Sequence, residues 1–227
     1  MSSTDFQKSI GYRFKDKELL EQALTHRSYL NENPSWAKPH NERLEFLGDA
    51  ILELAVTEEL FNRFPDKPEG EMTSLRAALV NTVSLAEVGR SIEIDSVLKM
   101  SRGEKKDIGR AREAILANAV EALIGALYLD GDFKKAKKFI LTFIVSRLDE
   151  VLRTKSYIDA KSALQEKVQA ERKITPHYQV MKAEGPDHDK EFIVGVYFGQ
   201  DFIAEGTGKS KHEAEVVAAQ KALESME

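Results

Sequence analysis

Read for the spacing of its apolar and polar positions, the chain changes character about two thirds of the way along. Up to about residue 152 the apolar residues recur at helical intervals. Asp16 to Leu24 reads as a short helix. A long helix is predicted from Glu42, with Asn41 placed as its N-cap, to Phe64, where Pro65 stops it. After a turn over 66–70, Thr73 is placed to cap a helix reaching about Arg90, and 101–109 reads as a polar loop. A second long helix is predicted from Arg110 to Leu129, ended by Asp130-Gly131-Asp132. An amphipathic helix follows over 133–152, with Phe139, Ile140, Phe143 and Ile144 facing inward. The pattern then alternates. After a linker over 153–158 and a helix over 159–172 come strands at 178–181, 192–198 and 201–205, a hairpin turn at Gly199-Gln200, and a helix over 211–226. The expected architecture is an all-α domain over 1–152 followed by a small α-β-β-β-α domain over 159–227, an α+β module.

Two stretches carry unusual polarity. In Asn41-Glu42-Arg43-Leu44-Glu45-Phe46-Leu47-Gly48-Asp49 the three carboxylates fall within about 60° of one another on a helix. Leu44, Leu47, Ile51 and Leu54 lie opposite, and Phe46, Ala50, Leu52 and Val56 flank the acidic stripe. An ordinary amphipathic helix with a solvated acidic edge fits that spacing equally well. The second long helix shifts the balance. Asn118 and Glu121 share a face with Ala114 and Gly125, whose small side chains admit another helix. If the two helices cross there, Glu45, Asp49, Asn118 and Glu121 meet, and four oxygen-bearing groups at one point suit a hard divalent cation such as Mg²⁺.

Composition narrows the chemistry. Apolar residues make up 42% of the chain, enough for a core, and the absence of cysteine removes disulfides, thiolate zinc sites and cysteine nucleophiles. The first residues lack a signal-peptide core and no stretch approaches a membrane span, which fits a cytoplasmic location. The net charge is −5 and neither domain is basic, which weighs against nucleic acid unless cations cluster locally. His26, alone on its stretch, reads as structural.

Two motifs bear a family resemblance. The nonamer from Asn41 to Asp49 is similar to the signature of the ribonuclease III endonuclease domain at all nine positions. The run from Glu121 to Gly131 resembles that family's second acidic motif. From Asp159 the chain resembles a double-stranded-RNA-binding domain, carried by 185–192 and by Gly206-Thr207-Gly208-Lys209-Ser210-Lys211. The resemblance implies a homodimeric, Mg²⁺-dependent enzyme, with Mn²⁺ able to substitute, that cuts both strands of double-stranded RNA in rRNA and mRNA precursor processing. It implies that Glu45, Asp49 and Glu121 are catalytic metal-site carboxylates and that Glu42 lies beside the cleft. It also implies that Phe46 plugs into a partner subunit; packing of Phe46 inside its own chain is the blander reading. In the second domain, Gln165, Glu166, His188, Lys209 and Lys211 match positions that meet RNA 2′-hydroxyls and phosphates.

The chain departs from the family in two places. Asn118 stands where the family usually has Asp, so the fourth metal ligand is a neutral carbonyl. The alternative this opens is a double-stranded-RNA-binding protein with impaired or no cleavage. His212 stands where a second lysine is common, which reduces the cationic charge offered to RNA.

Overall fold

The structure is a computed structural model that describes residues 1–227 apart from Ser156, Ile158, 187–189 and Glu227. The chain forms two compact units, Met1–Tyr157 and Ile158–Glu227.

In the first unit the described helices are α1 (Ser3–Ser9), α2 (Lys17–Ala23), α3 (Arg27–Glu32), α4 (Glu42–Arg63), α5 (Glu69–Val80), α6 (Thr82–Ser91), α7 (Arg102–Lys106), α8 (Arg110–Asp130), α9 (Phe133–Phe143) and α10 (Leu148–Thr154). The unit is built around α8. Between Ile115 and Leu127 every residue of α8 is buried except Asn118 and Glu121. Helices α2, α4, α6 and α9 pack against it. A helix covered on all sides gains its stability from tertiary packing rather than from propensity.

The α4–α8 crossing is set by two glycines. A Cβ on Gly48 would sit 1.8 Å from the Glu121 carbonyl oxygen, and one on Gly125 would sit 2.3 Å from the Leu44 carbonyl oxygen. The close approach read from Gly125 therefore occurs, and Gly48 is its partner. The start of α4 is pinned as well. Thr25 is fully buried, its carbonyl accepts from the Asn41 N–H at 2.9 Å, and the next residue's N–H donates to Lys99 O at 2.9 Å.

Several sequence expectations are corrected here. The helix read over 73–90 is two helices. It begins at Glu69, after Pro68, and breaks at Asn81, whose extended ψ of 160° lets its side chain accept from the Ser84 N–H at 2.9 Å and cap α6. The 101–109 loop contains α7, capped by Ser101. The amphipathic stretch over 133–152 divides at a 3₁₀ turn, Val145–Arg147, and α10 continues to Thr154, inside the expected linker. Phe143 is only partly buried. Asn41 precedes α4 but makes no side-chain cap; its amide points inward to Ala23 O at 3.4 Å. Leu54, placed with Leu44, Leu47 and Ile51 opposite the acidic stripe, lies at the edge of the buried arc and is 58% exposed. The helix α1 was not read from the sequence; Phe6, fully buried, anchors it.

The second unit runs α11 (Ala160–Arg172), β1 (His177–Glu184), β2 (Glu191–Phe198), β3 (Asp201–Gly208) and α12 (Lys211–Ser225). The sheet is antiparallel in the order β1-β2-β3, and its strands are longer than the alternation implied. Gly199 turns the β2–β3 hairpin at φ +66°. Both helices pack on one face, where Leu164, Val168, Val196, Phe198, Ala218 and Ala222 form the core. Gly206 and Gly208 belong to β3 and let α12 come close: a Cβ on Gly206 would lie 2.2 Å from Ala214 O.

Because the α4–α8 contact is backbone on backbone, neither helix can yield locally. Gly48→Ala is expected to cost about 3 kcal/mol, the upper end for overpacking. Gly70→Ala, in α5 with nothing within 4 Å of its Cβ, is expected to be neutral or slightly stabilising. Urea unfolding of the two variants is the measurement, and equal midpoints would remove the glycine contact as the determinant of the crossing.

Candidate active site

The glycine contact puts the first turns of α4 against the middle of α8. Glu45 and Asp49 lie one turn apart on α4 on either side of Gly48; Glu121, whose carbonyl faces Gly48, carries its carboxylate on the same flank as Asn118. Glu121 is the most strongly perturbed of the group. Burial, then the charges of Asp49, Glu45 and Glu53, push its pKa from the ordinary 4.5 up to about 7. Glu45, half buried, is also raised, first by burial and then by Glu42, with a smaller contribution from Asp49; the Asn118 side chain acts in the opposite sense and favours the ionised form. Asp49 and Glu42 are more exposed. Glu42 faces Arg27 at 3.3 Å and His40 at 3.8 Å, which turns it toward the rim.

Four of the residues singled out in the sequence thus converge: Glu45, Asp49, Asn118 and Glu121. The neighbouring carboxylates add to burial in raising Glu45 and Glu121, as like charges held close together do. Among the described residues no group of three or more is drawn into a metal-holding arrangement. The donor set nevertheless fits a hard divalent cation, being all oxygen, mostly anionic and partly desolvated.

Glu53 was missed in the sequence. It stands four residues after Asp49, so helical spacing alone carries it back onto the acidic stripe. It raises the Glu121 pKa and pairs with Arg76 at 2.8 Å, which also donates to Thr57 Oγ1 at 2.9 Å. This pair brings a cation to the edge of the site from α5. His26 is structural: its Nδ1 accepts from the Ser28 N–H and caps α3, and burial lowers its pKa.

Phe46 is 83% exposed and belongs to no core of its own chain, which corrects the intramolecular reading. Leu54 and Phe61, at 58% and 67%, extend the exposed apolar residues along α4.

In the second unit Gln165 and Glu166 are exposed on α11, turned away from the buried Leu164 and Val168. Lys209 and Lys211 flank Ser210, the N-cap of α12, and are exposed. The Lys209 N–H donates to Glu213 Oε2 at 2.8 Å, while the Glu213 N–H donates to Ser210 Oγ at 3.1 Å, which fixes this corner. His188 lies outside the described residues.

Among the described residues no helix is long and apolar enough to cross a membrane. Comparison with known proteins yields two family matches. The model described as Ribonuclease-III-like matches residues 16–148, and the Double-stranded RNA binding motif matches 160–226. "Ribonuclease 3" of Borreliella burgdorferi is 42% identical over 98% of this chain and 90% of the relative. "Ribonuclease 3" of Desulforamulus reducens is 44% identical over 96% and 89%. A solved nuclease domain of a Campylobacter jejuni ribonuclease III, described for flexibility in a region involved in its dimer formation, is 41% identical. It has a TM-score of 0.58 and covers 64% of this chain and 97% of that one.

Glu121 makes stability depend on pH. Its folded pKa lies above the unfolded value, so the folded state holds a proton that the unfolded chain has lost between pH 4.5 and about 7. Without divalent cations, stability should fall across that window and level off above it. Allowing for the carboxylate's partial exposure, the loss is on the order of 2 kcal/mol. Glu121→Gln should match the parent below pH 4.5 and exceed it above pH 7, as read from urea midpoints in a chelating buffer. Parallel curves for the two proteins would show that Glu121 is not held in a raised-pKa environment.

Proposed function

The chain belongs to the ribonuclease III family and is an endoribonuclease of that type, and on this premise we propose that it hydrolyses phosphodiester bonds in both strands of double-stranded RNA with Mg²⁺ as cofactor. The observation that carries the reading is the convergence of Glu45, Asp49 and Glu121 at a glycine-locked helix crossing, where Glu121 is driven up to about 7 by its neighbours. Such a site is electrostatically frustrated until a cation enters it. Glu45, Asp49 and Glu121 would hold the ion, with Asn118 adding its carbonyl oxygen. When bound, Mg²⁺ acidifies a water molecule and neutralises charge on the reacting phosphate. Glu121 lends the ion its charge from the desolvated floor. Asn118 favours the ionised form of the adjoining Glu45, so it supports the charge state needed for ligation even though it contributes none itself. Glu42 lies at the rim, where its pairing with Arg27 and His40 keeps it available to orient water or substrate.

The second unit grips the duplex. Gln165 and Glu166 meet 2′-hydroxyls and base edges in one minor groove and His188 reaches the next. Lys209 and Lys211 hold the intervening phosphates at the positive end of α12. The match to the Double-stranded RNA binding motif supports this reading. The natural substrates are proposed to be rRNA and mRNA precursors in the cytoplasm, and the working form a homodimer in which Phe46 enters the partner.

Substituting Asn118 by Asp adds a charge to the ligand set, so cleavage should rise most at low Mg²⁺ and converge with the parent at saturation. Glu121→Gln should lose on the order of a hundredfold, because it removes a charged ligand. Rates against Mg²⁺ concentration for the three proteins on a long duplex are the test. Identical metal curves for parent and Asn118→Asp would place residue 118 outside the metal's reach. If the parent shifts the duplex in a gel but leaves it uncut at every Mg²⁺ concentration, the neutral Asn118 has made it a binding protein, the second reading.

Phe46→Glu places a charge on the exposed apolar stripe of α4 and should yield monomers by sedimentation with the fold intact. A variant that stays dimeric would remove Phe46 from the interface.

A further inference from the structure

At the corner where α1 and the turn after it meet α9, the first unit holds two cavities the proposed chemistry does not use. One, of about 250 Å³, has an apolar floor that includes Phe139 and Phe143 and is rimmed by Lys8, Lys135 and Lys138. The other, of about 560 Å³, shares Lys8 and Tyr12 with it and adds Arg13 and Lys17. In a chain of net charge −5 this concentration of cations stands out. Among the described residues Arg13, Lys17, Lys135 and Lys138 have no carboxylate at ion-pair distance, and Lys8 meets only the exposed Asp5 at 3.5 Å.

The lysines also sit where their own helix disfavours them. Lys134 and Lys135 lie in the first turn of α9, at the positive end of the helix dipole; Asp132 caps that turn, accepting from the Lys135 N–H at 2.9 Å, but no acidic residue lies within it. Of the four lysines in this helix, Lys137 alone has a carboxylate at ion-pair distance among the described residues, Glu58 at 2.9 Å. Cations most of which lack an ion-pair partner among the described residues, set around a recess with an apolar floor, indicate an anionic ligand with an apolar part.

We propose that the paired cavities bind a nucleoside polyphosphate, with the base in the apolar lobe over Phe139 and Phe143 and the phosphates between Lys8, Lys135 and Lys138 and toward Arg13 and Lys17. Concavity decides between this ligand and a nucleic-acid duplex. Lys8, Lys135 and Lys138 line one recess and Lys8, Arg13 and Lys17 the adjoining one, whereas a duplex backbone is read by cations spread along an open surface. The site is independent of the metal chemistry proposed above.

The test uses the full-length protein in chelating buffer, so that no ion bridges the probe to the acidic site. ATP, GTP and inorganic triphosphate are titrated by calorimetry against the parent and the double variant Lys135→Glu, Lys138→Glu. ATP or GTP should bind at least tenfold more tightly than triphosphate, because the apolar lobe adds to the charge attraction. The double variant should lose tenfold or more in nucleotide affinity while its melting temperature stays level or rises, since glutamates suit the start of α9. Equal affinity for nucleotide and triphosphate, no binding by the parent at millimolar nucleotide, or undiminished binding by the variant would each overturn the proposal. So would displacement of ATP by a duplex whose own affinity falls in step in the variant, since that surface would then belong to nucleic acid.

Discussion

The contact between Gly48 and Gly125 governs the first unit. Two helices meet there backbone to backbone, so closely that a single methyl group on either glycine would overlap a carbonyl of the other helix. That closeness fixes the crossing of α4 and α8, and with it the facing of Glu45 and Asp49 toward Asn118 and Glu121. The rest of the unit supports it. The other helices bury the remaining surface of α8, and the strand-like segment at Thr25 and Lys99 holds the beginning of α4 in place. A site made of charges that repel one another needs such a frame, because flexible elements would separate them. Here the helices cannot move apart without giving up the packing of the unit's core.

The same crossing explains the electrostatics. Carboxylates on an exposed helix edge would ionise freely. On the buried helix α8, pressed against α4, Glu121 is desolvated and faced by three further acids, and the cost appears as a pKa pushed up to about 7. The protein thus stores unfavourable charge at one place, which under the proposed chemistry a divalent cation would relieve. Asn118, the neutral member, eases Glu45 toward its charged form. Under the proposed metal chemistry, a neutral residue at 118 would trade attraction for the cation against stability of the empty site.

The second unit solves a different problem with the same device. Glycines in β3 let α12 lie almost on the strand, and small alanines on α12 complete the contact, so the helix start that carries Lys209 and Lys211 is held rigidly at the sheet edge. Both proposed functions, cutting and gripping, thus rest on close helix approaches made possible by residues without bulk.

By itself the sequence determined the periods, and with them the two architectures. Long apolar runs at helical spacing could only be helices, and alternation after residue 160 could only be strands. The nonamer from Asn41 to Asp49 and the acidic run from Glu121 marked the proposed site residues, because their polarity conflicts with the apolar helices that carry them. Local signals also misled where two outcomes share one pattern: the 73–90 run reads as a single helix because a break at Asn81 leaves the apolar spacing nearly undisturbed. Tertiary structure alone decided which glycine meets Gly125, that Glu53 joins the acidic group, that Leu54 and Phe46 stay exposed, and how far Glu121 is shifted. Each depends on distances between segments far apart in the chain, and burial and charge interaction are functions of those distances rather than of residue order.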